Sequence, residues 1–85
     1  MMTAFTRSVY RVVKKIPKGK TMTYAEVATA IGKPNAYRSV ANALKKNFND
    51  SIPCHRVVRS DGTVSGYNRG GPRAKLALLR AEGAL

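Results

Sequence analysis

The sequence predicts a mainly α-helical fold with little or no β-structure. Three observations lead there. Apolar residues recur at spacings of three and four along most of the chain, the period of a helix rather than the alternation of a strand. A capping-box pattern and well-placed Gly and Pro residues cut those stretches into separate helices. A length of 85 residues suffices for one compact domain and not for two, so the helices must share one modest core. Residues 1–85 are therefore read as a single domain.

The first helix is read over Thr3 to Ile16. Phe5, Val9, Val12, Val13 and Ile16 form one stripe, and Arg7, Arg11, Lys14 and Lys15 fall mostly on the other side. Pro17-Lys18-Gly19-Lys20 ends it. Thr21-Met22-Thr23 is a short extended piece. In Thr23-Tyr24-Ala25-Glu26 the Thr hydroxyl can serve the Glu26 amide while the Glu26 carboxylate serves the Thr23 amide. The helix opened there holds Ala25, Val27, Ala28 and Ile31. Gly32 supplies its C-terminal turn, and Lys33-Pro34 prevents continuation.

Asn35 is placed to cap the next helix, Ala36 to about Lys46, whose apolar face is Val40, Ala43 and Leu44. Two short helices joined by a Gly-containing turn make a small helix-turn-helix of winged-helix-like type. Such pairs also occur in helical domains that bind nothing. Here the second helix would present Tyr37 and Arg38 first, Ala41 and Asn42 in its middle, and Lys45 and Lys46 at its end. Asn47 to Ser51 reads as a polar loop. Ile52 to Val58 surrounds a reactive pair with apolar residues, Ser60-Asp61-Gly62 is a turn, and Thr63 to Gly71 is glycine-rich around Tyr67. Pro72 suits the first turn of a last helix with an apolar side of Leu76, Leu79 and Ala81, terminated by Gly83.

Sixteen Lys and Arg face four acids, a net charge of +12. The resulting field attracts polyanions, nucleic acid first. An anionic membrane would want a bulky apolar face opposite the basic one, but the apolar faces here are those a core needs. No apolar stretch is long enough to span a bilayer, and the N-terminus lacks the apolar core of a signal peptide. One cysteine allows no internal disulfide and fits a reducing compartment.

Cys54 and His55 are adjacent. A thiolate is a nucleophile, a histidine can take its proton, and a basic field lowers the cost of the anion. In an extended chain neighbouring side chains point apart, so proton transfer needs a turn or a bridging water. Read alone, the pair is more simply a buried thiol packed as a small hydrophobe. One Cys, one His and so few acids make a zinc site the weakest reading. Glu82 could orient His55, or be an ordinary helix-end glutamate. Tyr24 could reach a phosphate or pack in the core. Arg38 could touch phosphate, replace an extruded base, or be solvated.

The joint order of these residues is more specific than any of them. Ile52-Pro53-Cys54-His55-Arg56-Val57-Val58 resembles the active-site signature of the O6-alkylguanine-DNA alkyltransferases, the methylated-DNA–protein-cysteine methyltransferases. Phe5-Thr6-Arg7 resembles the opening of that family's C-terminal domain. Thr23-Tyr24 with Ala36 to Leu44 resembles its helix-turn-helix, and Leu78-Leu79-Arg80-Ala81-Glu82-Gly83 its final helix. The resemblance implies that Cys54 is the alkyl acceptor, His55 a water-bridged general base and Glu82 the acid that orients it. Asn47 corresponds to the hinge asparagine before the signature. Tyr24 corresponds to the tyrosine that helps rotate the nucleotide, and Arg38 to the arginine that fills the opened base stack. Tyr67 and the Val57 carbonyl correspond to pocket positions. The recognition helix of this family enters the minor groove, where small Ala41 permits close approach; Lys45, at the end of that helix, is read as DNA-binding.

The implied partner is double-stranded DNA carrying O6-alkylguanine, bound by a monomer, with no membrane, cofactor or metal involved. The implied location is cytoplasmic, or nuclear in a eukaryote. Two departures stand out. Asn47-Phe48-Asn49-Asp50-Ser51 lacks the family's proline and is one residue shorter, and Tyr67-Asn68-Arg69-Gly70-Gly71 is one residue longer. The resemblance covers that family's C-terminal domain alone, and its separate N-terminal domain is expected to be absent. Two other functions fit parts of the pattern. A non-catalytic alkyltransferase-like protein would bind alkylated DNA and recruit other repair factors without the acceptor cysteine. A helix-turn-helix transcription regulator would need none of Cys54, His55 or Glu82.

Overall fold

A computed structural model describes residues 3–47, 51–60 and 71–84. Those residues form helices α1 (Ala4–Lys14), α2 (Tyr24–Ala30), α3 (Tyr37–Lys45) and α4 (Gly71–Ala81). A 3₁₀ turn, Cys54–Arg56, and two short strands, β1 (Met22–Thr23) and β2 (Val57–Val58), complete them. The fold is mainly helical, as the periodicity indicates.

Helix α1 starts where the Thr3 hydroxyl accepts from the Thr6 amide at 3.1 Å. Its apolar stripe is buried at Val9 and Val13, with Phe5 and Val12 half-buried against the same core. Tyr10 joins that core and its hydroxyl donates to the Ala43 carbonyl at 2.8 Å, fastening α1 to α3. The helix ends at Lys14, earlier than the apolar spacing suggests. Lys15 and Ile16 donate to Val12 and Val13, tightening the last turn, and Ile16 still reaches the core.

The capping box at α2 forms as expected. Thr23 Oγ1 accepts from Glu26 N at 3.0 Å, and Glu26 Oε1 accepts from Thr23 N at 2.9 Å. Val27 and Ala28 are buried, whereas Ala25 faces solvent, contrary to its predicted place on the apolar side. Gly32 ends the helix at φ +78°, a left-handed conformation that side chains resist. Asn35 does not cap α3. Ala36 donates to the Lys33 carbonyl, which closes a turn around Asn35 and leaves Ala36 at the cap position with no side-chain bond. Val40, Ala43 and Leu44 form the inner face of α3 as predicted.

Strands β1 and β2 pair in parallel, Met22 opposite Val57 and Thr23 opposite Val58. This pairing sets the start of α2 beside the residues that follow Cys54. In α4, Leu79 is buried and Leu76 half-buried, but Ala81 is exposed and Lys75 takes the inner position. Lys75 and Leu79 are four residues apart and share a face; Ala81 falls two residues off it. Gly83 follows the helix, with Ala84 N donating to the Leu79 carbonyl at 2.9 Å. The predicted turn at Asp61-Gly62 and the glycine-rich stretch to Gly70, with Tyr67, lie outside the described residues.

Candidate active site

The site begins with backbone. Pro53 has φ −79° and ψ 66°, and Cys54 N donates to the Ile52 carbonyl at 2.8 Å. That is an inverse γ-turn, whose central φ a proline ring already favours. Arg56 N then donates to the Pro53 carbonyl and Val57 N to the Cys54 carbonyl, winding Cys54–Arg56 into a single 3₁₀ turn. On this turn Cys54 and His55 stand about a third of a revolution apart, whereas in an extended chain their side chains would point to opposite sides.

Asn47 supports this turn from the end of α3. It is buried, and its Nδ2 donates to the Ile52 carbonyl at 3.2 Å. One carbonyl therefore collects both the Asn47 amide and the Cys54 N–H, just before the thiol. Asn47 is thereby tied to the turn that carries the thiol. Cys54 itself is 6% exposed and belongs to the core cluster. It is thus the small buried residue of the plainer reading, yet it sits beside a set of charges that such a residue does not need.

That set is centred on Glu82, which follows α4. His55 Nε2 lies 3.0 Å from Glu82 Oε2. Arg56 Nε donates to Oε1 at 2.9 Å, and Arg56 Nη2 to Oε2 at 2.6 Å. The Arg56 guanidinium also donates to the Ile16 carbonyl at 2.8 Å, tying the end of α1 to the site. Gly19, at φ +89°, lets the chain pass so close to the Glu82 carbonyl that an added Cβ would stand 3.3 Å from it. The Arg56 fork first, and His55 after it, hold the Glu82 carboxyl at about 2, against burial that pushes it up. The same pairing pushes the Arg56 guanidinium further up. An ionised Glu82 can only accept, so the bond to His55 places the ring proton on Nε2 and leaves Nδ1 as the ring's acceptor. Burial chiefly, and the nearby Cys54 charge after it, push the Tyr10 phenol up.

Tyr24 is half-buried against the core cluster that contains Cys54. Lys75, 1% exposed, donates to its hydroxyl at 3.3 Å and lies 5.6 Å from its ring centroid. A phenol that accepts from an ammonium keeps its own O–H to donate elsewhere. Val57 is fully buried on β2. Arg38 and Lys45 are exposed and Ala41 half-buried, all on the outer face of α3 opposite Val40, Ala43 and Leu44, beside Tyr37 at 46% exposure. The structure therefore gathers Asn47, Cys54, His55 and Glu82 at one turn, and sets Arg38, Ala41 and Lys45 along one helix face. No group of three or more metal-ligating side chains occurs among the described residues.

Arg56 and Lys75 escaped the sequence reading. Arg56 directly follows His55 and so shares its turn, a signal within reach. Lys75 stands four residues from Leu79, on the apolar side of the last helix; its identity as a lysine argued for solvent.

Comparison with known proteins gives these residues a context. The family model described as 6-O-methylguanine DNA methyltransferase, DNA binding domain, matches residues 4–84. The chain is 52% identical over 81 residues to the bifunctional transcriptional activator/DNA repair enzyme Ada of Escherichia coli strain K12, covering 94% of this chain and 23% of that protein. Its fold matches Mycobacterium tuberculosis OGT in complex with DNA at a TM-score of 0.90 and 40% identity, covering 96% of this chain and 50% of that one. It matches S. pombe Atl1 in complex with damaged DNA containing O6-carboxymethylguanine at a TM-score of 0.86 and 35% identity, covering 98% and 79%. The chain thus spans about a quarter of the Ada protein and half of the mycobacterial one.

Proposed function

The chain belongs to the family of the 6-O-methylguanine DNA methyltransferase DNA-binding domain, a DNA-repair family, and we propose that it transfers an alkyl group from O6-alkylguanine in DNA to its own Cys54. The observation that carries this reading is the part-buried contact of 3.0 Å between Glu82 and His55, the latter on the turn that holds the thiol.

The chemistry proceeds from those residues. His55 takes the Cys54 proton at Nδ1, through a bridging water, and Glu82 stabilises the resulting imidazolium. The thiolate attacks the alkyl carbon in line. A sulfur–carbon bond forms as the carbon–O6 bond breaks, and the electron pair leaves with guanine. Tyr24 donates a proton toward that guanine, with the Lys75 ammonium beside it to stabilise the oxygen left behind. The products are unmodified guanine and a thioether on Cys54. A thioether does not hydrolyse readily, so each molecule acts once and needs no cofactor.

DNA must open first. A buried thiol cannot meet a stacked base, so the damaged nucleotide rotates out, at a cost of a few kcal/mol that is smaller for a poorly paired base. Arg38 holds the opened stack, Ala41 lets α3 approach the minor groove, and Lys45 meets phosphate. The Val57 carbonyl and Tyr67 complete the guanine pocket, and the protein works as a monomer. A second reading, lesion binding without transfer, draws on the likeness to Atl1 bound to damaged DNA.

The test is a titration with excess duplex carrying one O6-methylguanine per molecule. The expected result is restored guanine that stops at one per protein. No restored guanine, or continued turnover, would reject stoichiometric transfer.

A further inference from the structure

Helix α1 carries a second basic face. Arg7, Arg11 and Lys14 lie on one line of the helix, and Lys15 and Lys18 follow beyond its end; all five are exposed. No acid stands among them. The described carboxylates, Glu26 and Glu82, are occupied elsewhere, in the α2 capping box and with His55 and Arg56. Among the described residues no ion pair involves α1. Burying three neighbouring cations without partners is costly, so this face stays in solvent unless a polyanion covers it.

Its direction matters. The inner side of α1 packs on α2 and α3, and Tyr10 bonds directly to α3. The basic line is on the opposite side of α1, and Arg38, Ala41 and Lys45 are on the outer side of α3. The two faces therefore point away from a shared core in different directions. From Arg7 to Lys14 is about 10 Å along the helix axis, and a duplex strand places a phosphate about every 3.4 Å of its own axis. The line is long enough to meet more than one phosphate of a strand. An anionic bilayer is a poorer fit, because the apolar side chains of α1 are turned into the core rather than flanking the cations.

We propose that the outer face of α1 is a second duplex-DNA surface, independent of the lesion, by which the protein passes directly from one DNA segment to another. While α3 still holds one duplex, α1 captures the phosphates of a second. This inference rests on the proposed function only in that α3 binds duplex DNA.

Dissociation from a labelled, undamaged duplex, measured at rising concentrations of unlabelled duplex, tests it. With a second surface the apparent off-rate rises several-fold with competitor, since the incoming segment helps to displace the first. The variant Arg11→Gln/Lys14→Gln/Lys18→Gln keeps Arg7, next in the chain to Thr6, which with Phe5, Ser39 and Lys46 lines a groove between α1 and α3. It should dissociate at one rate whatever the competitor, while its alkyl transfer within one short saturating duplex matches the parent. These exposed glutamines leave the core untouched. A parent off-rate indifferent to competitor, or a variant that keeps the dependence, overturns the proposal. So does loss of phosphatidylserine-vesicle binding in the variant with unchanged DNA behaviour, which assigns the face to lipid. Failure of methyl transfer alone touches the repair reading and not this one.

Discussion

Around the Cys54–Arg56 turn the charged groups hold one another. His55 and Arg56 share Glu82, and Arg56 also grips the Ile16 carbonyl at 2.8 Å. Side chains there are 11–16% exposed. On the outer face of α3, Arg38 and Lys45 stand in solvent around Ala41. One region is closed on itself by its own charge pairs; the other leaves its cations exposed. Proton transfer needs atoms held in place, whereas docking on a sugar–phosphate backbone needs reach and sign of charge. The same small core supports both, with Asn47 at the boundary, at the end of α3 and bonded to the carbonyl before the thiol.

If the division is sound, substitutions at the turn remove chemistry and spare binding, while those on α3 do the reverse. Cys54→Ser should abolish alkyl transfer outright and leave affinity for a lesion duplex intact, as a gel-shift titration beside a transfer assay will show. His55→Ala should slow transfer about 10²-fold or more at neutral pH, the range of a lost general base. Rates measured upward in pH should regain part of the loss as solvent takes the thiol proton instead.

Glu82→Gln tests the turn as structure as well as chemistry. It leaves Arg56 charged in a mostly buried place, and thermal unfolding should report a loss of about 3 kcal/mol. The pH dependence has a definite sign. Because Glu82 titrates at about 2 rather than at its ordinary 4.5, its contribution is complete above about 4.5 and disappears as pH falls toward 2. Melting curves across that window should fall for the parent and lose that part of the fall in the variant.

Effects on the α3 side are smaller. Arg38→Ala should slow repair in duplex DNA about tenfold and leave single-stranded substrate nearly unchanged, since a single strand has no stack to hold open. Equal losses on both substrates would remove the distinction. Smallest of all, Tyr10→Phe should cost about 1 kcal/mol in denaturant unfolding, the worth of one buried hydrogen bond, with little change in transfer.

Local signals were the legible ones. The α1 stripe, the Thr23–Glu26 box, the Gly32 stop and the α3 inner face follow from residues within a few positions of each other. The turn that carries Cys54 and His55 was not legible from their adjacency; it depends on the Pro53 γ-turn and on the Asn47 bond. The resemblance placed Glu82 with His55 across 27 residues, but not the Arg56 fork that fixes the carboxylate. Lys75 was hidden by its own chemistry, because a lysine on a helix is read as solvated until a tyrosine 51 residues away receives it. Asn35 failed as a cap because a turn from Lys33 to Ala36 had already used the preceding backbone.

The most direct measurement is the intact mass of the protein after incubation with duplex DNA carrying one O6-methylguanine, followed by peptide mapping. One added methyl group, located on Cys54 and missing from Cys54→Ser, is the expected result. An unchanged mass together with tight, lesion-selective binding would contradict it and leave a protein that recognises damage without removing it.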